Sequence, residues 1–269
     1  MLGKQPIAFK VGLFILLIIL LVGVFAPILA PCDPYQMGTP YLRPSAQHLL
    51  GTNDLGQDIF SELLYGTRIS LIIGLVSALA VTVAGVCIGM LSGYLGGWWD
   101  RALMEVTAVA QAIPSLPVTI VLAAFLSPSL WNIIIAICIT AWSGTARIIR
   151  SRVLQLKELP FVKIEQTMGA SHGYIMARHI LPNLFDIVFV RGVLAVGNAM
   201  LTEASLSFLG LGVIGQKSWG GILHYAFFRS GIINGYWWWY LSPILCISLS
   251  VLGFLLLSYG GQQQLGRRN

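Results

Sequence analysis

The sequence predicts an all-α polytopic membrane protein with six transmembrane helices and a helical cytoplasmic segment between the fourth and fifth. Three observations carry that expectation. Hydrophobic residues make up 57% of the chain and charged residues only 10%, against roughly 25% charged in a soluble domain, and the mean hydropathy is +0.81. The apolar residues gather into six runs long enough to cross a ~30 Å bilayer core at ~1.5 Å per residue. The basic residues are also one-sided. With the amino terminus inside, the cytoplasmic face carries eleven of them, Lys4, Lys10, Arg101, Arg147, Arg150, Arg152, Lys157, Lys163, Arg178, Arg267 and Arg268. The outer face carries only Arg43, Arg68, Lys217 and Arg229, and Arg191 is left in the membrane. That bias is a topology signal that puts both termini in the cytoplasm, so the net charge of +6 is not read as a nucleic-acid footprint. The four cysteines, Cys32, Cys87, Cys138 and Cys246, have no CxxC spacing and read as small hydrophobes.

The first span is residues 11–30, preceded by a tail with Lys4 and Lys10. A cut after Ala30 would place bulky Ile28 in the small-residue pair of a signal-peptidase site, so the run is read as a retained helix. Residues 31–68 form an extracytoplasmic segment, rich in proline at first. Residues 57–65 read there as a short amphipathic helix at the membrane surface, with Ile59, Phe60, Leu63 and Leu64 inward. Asp54 and Asp58 read as helix-start carboxylates rather than metal ligands.

Residues 69–269 make up a five-helix core. The second span, 69–91, is rich in Gly and Ala, which let helices approach closely in lipid. A tight turn is expected over 93–101. The third span, 102–126, holds Glu105, Gln111, Pro114 and Pro117, so a kink or local unwinding is expected. The fourth span is 130–149, the fifth 184–209 with Asp186, Arg191, Asn198 and Glu203, and the sixth 241–259. Between the last two lies a Gly-rich loop, 210–236, with a second interfacial stretch, followed by Trp237, Trp238, Trp239 and Tyr240 as an aromatic anchor.

The polar segment 150–183 reads as helix, break, helix. Pro160 suits a first helical turn, Gly169 a helix end and Ser171 the cap of a second helix, while Pro182 is expected to stop or bend the chain. Phe161, Val162, Ile164 and Met168 recur at helical spacings. Such a projecting helix suits a groove in a partner protein or the lipid surface.

These residues resemble a family. Arg147 to Pro182, with ARIIRSRVLQLKELPFV, then Gly169-Ala170-Ser171 and HILPN ending at Asn183, is similar to the coupling loop of ABC importer permeases of the dipeptide/oligopeptide/nickel class. GTNDLGQD from Gly51 to Asp58, EASLSFLGLG from Glu203 to Gly212, and Trp219-Gly220 extend the resemblance over most of the chain. The resemblance implies that residues 161–169 are a coupling helix seated in a cleft of an ATP-binding subunit, with Phe161, Val162, Lys163, Ile164, Glu165, Met168, Gly169 and Ala170 as the ATPase-coupling residues. It implies a second homologous permease, two ATP-binding subunits or domains and an extracytoplasmic substrate-binding protein as partners, in a bacterial or archaeal cell membrane. This chain is then a non-catalytic subunit without a cofactor of its own. It has no G-x4-G-K-[ST] phosphate loop, and ATP and Mg belong to the partner subunits.

Two departures stand out. Lys163, Ile164 and Glu165 occupy the place of the family's Glu-Ala-Ala, and the tail lacks its acidic pattern. Charges within a span cost roughly 2.5–3.5 kcal/mol, so Arg191 is expected to line the pathway or to pair across the permease dimer. Asn198, Gln111 and Glu105 are the other pathway candidates, and no metal site is expected. The alternative to an ATP-driven importer is a self-sufficient secondary transporter or channel, which predicts inverted repeats or an intramembrane relay. Substrate remains open among peptides, nickel and metal chelates, with peptide leading.

Overall fold

The structure is a computed structural model that describes residues 6–266. Among the described residues there is no strand, only one isolated bridge between Thr52 and Asp58. The helices are α1 (Ile7–Leu29), α2 (Ile59–Leu95), α3 (Gly97–Ala112), α4 (Ser115–Phe125), α5 (Leu130–Lys157), α6 (Pro160–Thr167), α7 (His172–Ile175), α8 (Leu181–Phe208), α9 (Trp219–Phe228) and α10 (Trp237–Gly266). Five helical stretches are long and apolar enough to cross a membrane, and the bent pair α3/α4 makes a sixth if it counts as one span. Large apolar side chains on α1, α2 and α10 remain exposed, Phe14, Leu79 and Leu252 among them, as expected for surfaces that face lipid.

The central pair is α2 and α5. Its closeness is set by small residues on one face of α2. A Cβ placed on Gly85 would sit 2.7 Å from Thr145, one on Gly89 2.4 Å from the Ala146 carbonyl, and one on Gly93 2.9 Å from Val153. The small-residue reading of the second span is thus a seam, four residues apart, along which backbone meets side chain and backbone.

Several boundaries differ from the sequence reading. Residues 57–65 are not a separate surface helix: Asp58 caps α2, accepting from Ser61 N at 2.8 Å, and the helix then runs 37 residues to Leu95. At ~1.5 Å per residue it is about 55 Å long and exceeds the bilayer core. Gly66 does not break it, because the Trp219 ring packs where a Cβ would stand. The turn expected over 93–101 shrinks to Gly96 and Gly97, both at positive φ. In the third span the expected kink is a break at Ile113 and Pro114, across which α3 and α4 bend by 85°.

Pro182 neither stops nor sharply redirects the chain. The helix widens before it into a π turn, Met176–Ile180, and Leu181 N donates to Met176 O. That extra residue per turn absorbs the missing N–H and the ring, so His172 to Phe208 forms one continuous helical stretch. The expected aromatic anchor also moves inward. Trp238 and Trp239 are buried, Tyr41 stacks on Tyr236 at 4.8 Å and tilts against Trp239, and only Trp237 of the three tryptophans is exposed.

Candidate pathway cavity and projecting helix

Two regions match the residues singled out by sequence. The first is a cavity of about 600 Å³ between α5 and α8 at the end of the bundle that carries α6. Ser151, Arg152 and Gln155 line it from α5, and Asn183, Asp186 and Arg191 from α8. A smaller cavity of about 70 Å³ lies further along the same two helices, lined by Thr145, Asn198 and Thr202 among others. Arg191 and Leu194 belong to both.

Arg191 therefore borders both spaces. Its Nε is buried without a hydrogen-bond partner, and it forms no ion pair with any described residue. Its guanidinium lies across Gly144, where an added Cβ would be 3.6 Å from Nη2. Asn198 lines the smaller cavity. Glu105 and Gln111 lie on α3, and neither lines either cavity. Of the four pathway candidates, then, the structure brings Arg191 and Asn198 together and leaves Glu105 and Gln111 apart. Asp186 is exposed, consistent with reaching water. Thr145 and Thr202 were missed by sequence reasoning, since a lone threonine in an apolar run gives no sign of which face it occupies.

The second region is α6. Pro160 opens it, Met168 N closes it on Ile164 O, and Gly169 follows at φ +80°. Ser171 caps α7 by accepting from Tyr174 N. The residues divide by face. Val162 is fully buried in a cluster with Tyr94, Ile149, Val153, Leu156, Ile175, Ile180 and Leu184, so it roots α6 in its own chain rather than reaching outward. Phe161, Ile164 and Met168 are exposed, Met168 by 77%. Lys163 is exposed too, but its Nζ is 2.8 Å from Glu158 Oε2. That bond and charge hold the Glu158 carboxyl below its usual range. Glu165 faces His179 at 3.5 Å, and Ala170 is half-buried.

From α6 the contacts run back into the bundle. Lys157 Nζ donates to Tyr94 O at 2.7 Å at the end of α2, and the Tyr94 hydroxyl is 3.3 Å from His172 Nδ1. Arg150 donates twice to Asp100, at 2.6 Å each, tying α5 to α3 in a planar fork. These contacts tie together the ends of α2, α3, α5 and α7 beside α6.

At the opposite end, residues 51–62 are held by polar contacts. Lys217 Nζ lies 2.5 Å from Glu62 Oε1 and 2.7 Å from Gln57 Oε1, and Asn53 Nδ2 donates to both acceptors at 3.0 Å. Glu203 is fully buried and accepts from Ser207 at 2.7 Å and Ser70 at 3.2 Å, bracing the loop that follows α8. Cys32, His48 and Asp58 each bring a ligand-type atom within 4.8 Å of the others. Asp58 accepts from Ser61 with one oxygen and lies 3.0 Å from His48 Nδ1 with the other. Burial, and then the Asp58 carboxylate, push the Cys32 thiol up.

A match to the family described as "Binding-protein-dependent transport system inner membrane component" covers residues 85–269. The chain belongs to that family. It is 38% identical over 257 residues to the dipeptide transport system permease protein DppC of Bacillus subtilis, covering 94% of this chain and 80% of that one. It is 36% identical over 261 residues to the glutathione transport system permease protein GsiD of Pectobacterium atrosepticum, covering 96% and 85%. A solved structure of the MetNI methionine ABC transporter is similar with a TM-score of 0.57 at 17% identity, over 76% of this chain and 94% of that one. At that identity the likeness speaks for the fold alone.

Proposed function

We propose that this permease is the membrane subunit of an ATP-driven importer for peptides, forming the translocation pathway with a second homologous permease. The single observation that carries the reading is α6: a short helix rooted by Val162 and presenting Phe161, Ile164 and Met168 with nothing covering them. An exposed stripe at i, i+3, i+7 is the face of a helix that fits a groove. The resemblance of 161–169 to a coupling helix supplies the occupant of that role, an ATP-binding subunit. On this reading the end with α6 and most basic residues is cytoplasmic, with both termini there. Residues 31–58 then face outward, toward a substrate-binding protein. Peptide is favoured over nickel or a metal chelate because the relatives are named for dipeptide and glutathione transport.

ATP is bound and hydrolysed in the partner, and this chain's residues transmit the motion. When two ATP-binding subunits close, α6 moves with them, and the buried cluster around Val162 carries the displacement to α2, α5 and α8. The bundle then exchanges access between its two ends. The test is purification of the tagged chain from its native membrane, with and without Ile164→Asp. Recovery of ATP-binding subunits and a second permease, with ATP-dependent peptide uptake in proteoliposomes and loss of coupling in the variant, is expected. Recovery of this chain alone as an oligomer that transports without ATP would overturn the proposal.

A further inference from the structure

Among the described residues, Arg191 is a charged group without an ionic partner. It lies ten residues into α8, about 15 Å along the helix from Leu181 and well inside the apolar stretch. A guanidinium at such a depth is costly unless something neutralises it, and no described residue does so. Nε is buried and unpartnered. No described carboxylate forms an ion pair with it, Asp186 in the same cavity included. Its Nη2 lies beside Gly144, 3.6 Å from where a Cβ would stand. The charge thus borders both a roomy cavity of about 600 Å³, lined by polar and apolar side chains, and a narrower one of about 70 Å³ lined by Thr145, Asn198 and Thr202 among others. The larger volume is in the range that holds a small organic molecule.

From this we infer that Arg191 is a station for the carboxylate of the transported solute, receiving the free carboxyl end of a peptide as it passes between the two cavities. The inference rests on the peptide-importer reading and adds to it a residue and a substrate feature. A guanidinium offers a planar fork that matches a carboxylate bidentately. Thr145, Asn198 and Thr202 add neutral hydroxyl and amide groups, which suit the peptide's backbone groups and bind no charge tightly. Because no described carboxylate pairs with the fork, a carboxylate that arrives beside it gains an interaction without first breaking one. An amidated peptide loses it.

The experiment uses the complete importer in proteoliposomes, with its binding protein and ATP, and one tripeptide in two forms, the free acid and the C-terminal amide. Uptake of each is measured for the unaltered protein, Arg191→Gln, Arg191→Lys and Asp186→Asn. The binding protein's own preference is common to all four, so it cancels in the ratio of each variant to the unaltered protein. Expected is a selective loss of roughly tenfold for the free acid in Arg191→Gln, the scale of one charge-assisted hydrogen bond, with the amide little changed. Arg191→Lys restores much of the free-acid uptake, and Asp186→Asn, which removes a like charge from the larger cavity, does not lower it.

Equal loss of both forms in Arg191→Gln would overturn the inference while leaving the importer reading standing. So would dissociation of the two permeases in that variant on size-exclusion chromatography, which would make a carboxylate of the second permease the counter-charge. An Asp186→Asn variant with the same selective loss would mean that the loss does not track the positive charge, and would overturn it as well. Absence of uptake of either form by the unaltered protein, with its complex intact, would instead refute the peptide reading on which the inference rests.

Discussion

Replacing Lys217 with Met should destabilise the end of the molecule opposite α6 more than any exposed charge would. Glu62 is 3% exposed and Lys217 17%, and their contact at 2.5 Å is shared with Gln57 and Asn53. Without the ammonium, the Glu62 carboxylate keeps only the Asn53 amide, inside a wall built from α2 and the approach to α9. Removing one member of a buried ion pair costs about 3–5 kcal/mol, because the remaining charge is left uncompensated. The reverse change, Glu62→Gln, should cost less. Lys217 reaches solvent more readily, and Gln57 still accepts from it.

The double variant Lys217→Met/Glu62→Leu removes both charges and should recover most of the loss, since a buried pair and an apolar pair of similar volume are often near-equal in stability. Equilibrium unfolding of the purified chain in mixed micelles, followed with limited proteolysis of residues 31–58, reads all three. A cost below about 1 kcal/mol for Lys217→Met, the range of solvent-exposed pairs, would refute the reasoning. So would a double variant no more stable than Lys217→Met, since removing the stranded carboxylate would then have brought no relief.

Four further outcomes follow from the packing. Gly89→Ala forces a Cβ to 2.4 Å from the Ala146 carbonyl, and since backbone has to shift, a loss of roughly 1–3 kcal/mol is expected, measured by thermal denaturation in detergent. Val162→Asp places a charge in the fully buried cluster and should lower the yield of folded chain. Met168→Asp, at an exposed site, should leave yield and melting unchanged and lower only ATPase stimulation by substrate in the assembled importer. Asp100→Asn gives up the charge-assisted fork to Arg150, and proteolysis should then cut more readily around Gly96 and Gly97, where α3 joins α2.

What could be read from the sequence was whatever depends on run length, charge sidedness or a single backbone-directing residue. The spans, the break near Pro114, the start of α6 at Pro160, the end at Gly169 and the cap at Ser171 are of that kind. What could not be read depends on which neighbour arrives. Residues 57–65 look like a surface helix until Trp219 fills the notch at Gly66 and donates to Leu63 O at 3.1 Å, after which nothing interrupts α2. Pro182 looks like a stop because sequence gives no sign that a π turn will form ahead of it. Trp238 and Trp239 look like interface anchors because their partners, Tyr41 and Tyr236, lie on a loop far away in the chain and on the segment just ahead of α10. Arg191 belongs to both groups. Its cost could be read from its place in an apolar run, but its freedom could not, because sequence does not say which carboxylates the packing brings near it, and no described one forms an ion pair with it. The residue that its place in an apolar run marks as an anomaly is therefore also one that packing leaves unsatisfied. That is the pattern of a charge kept for something the chain does not itself contain.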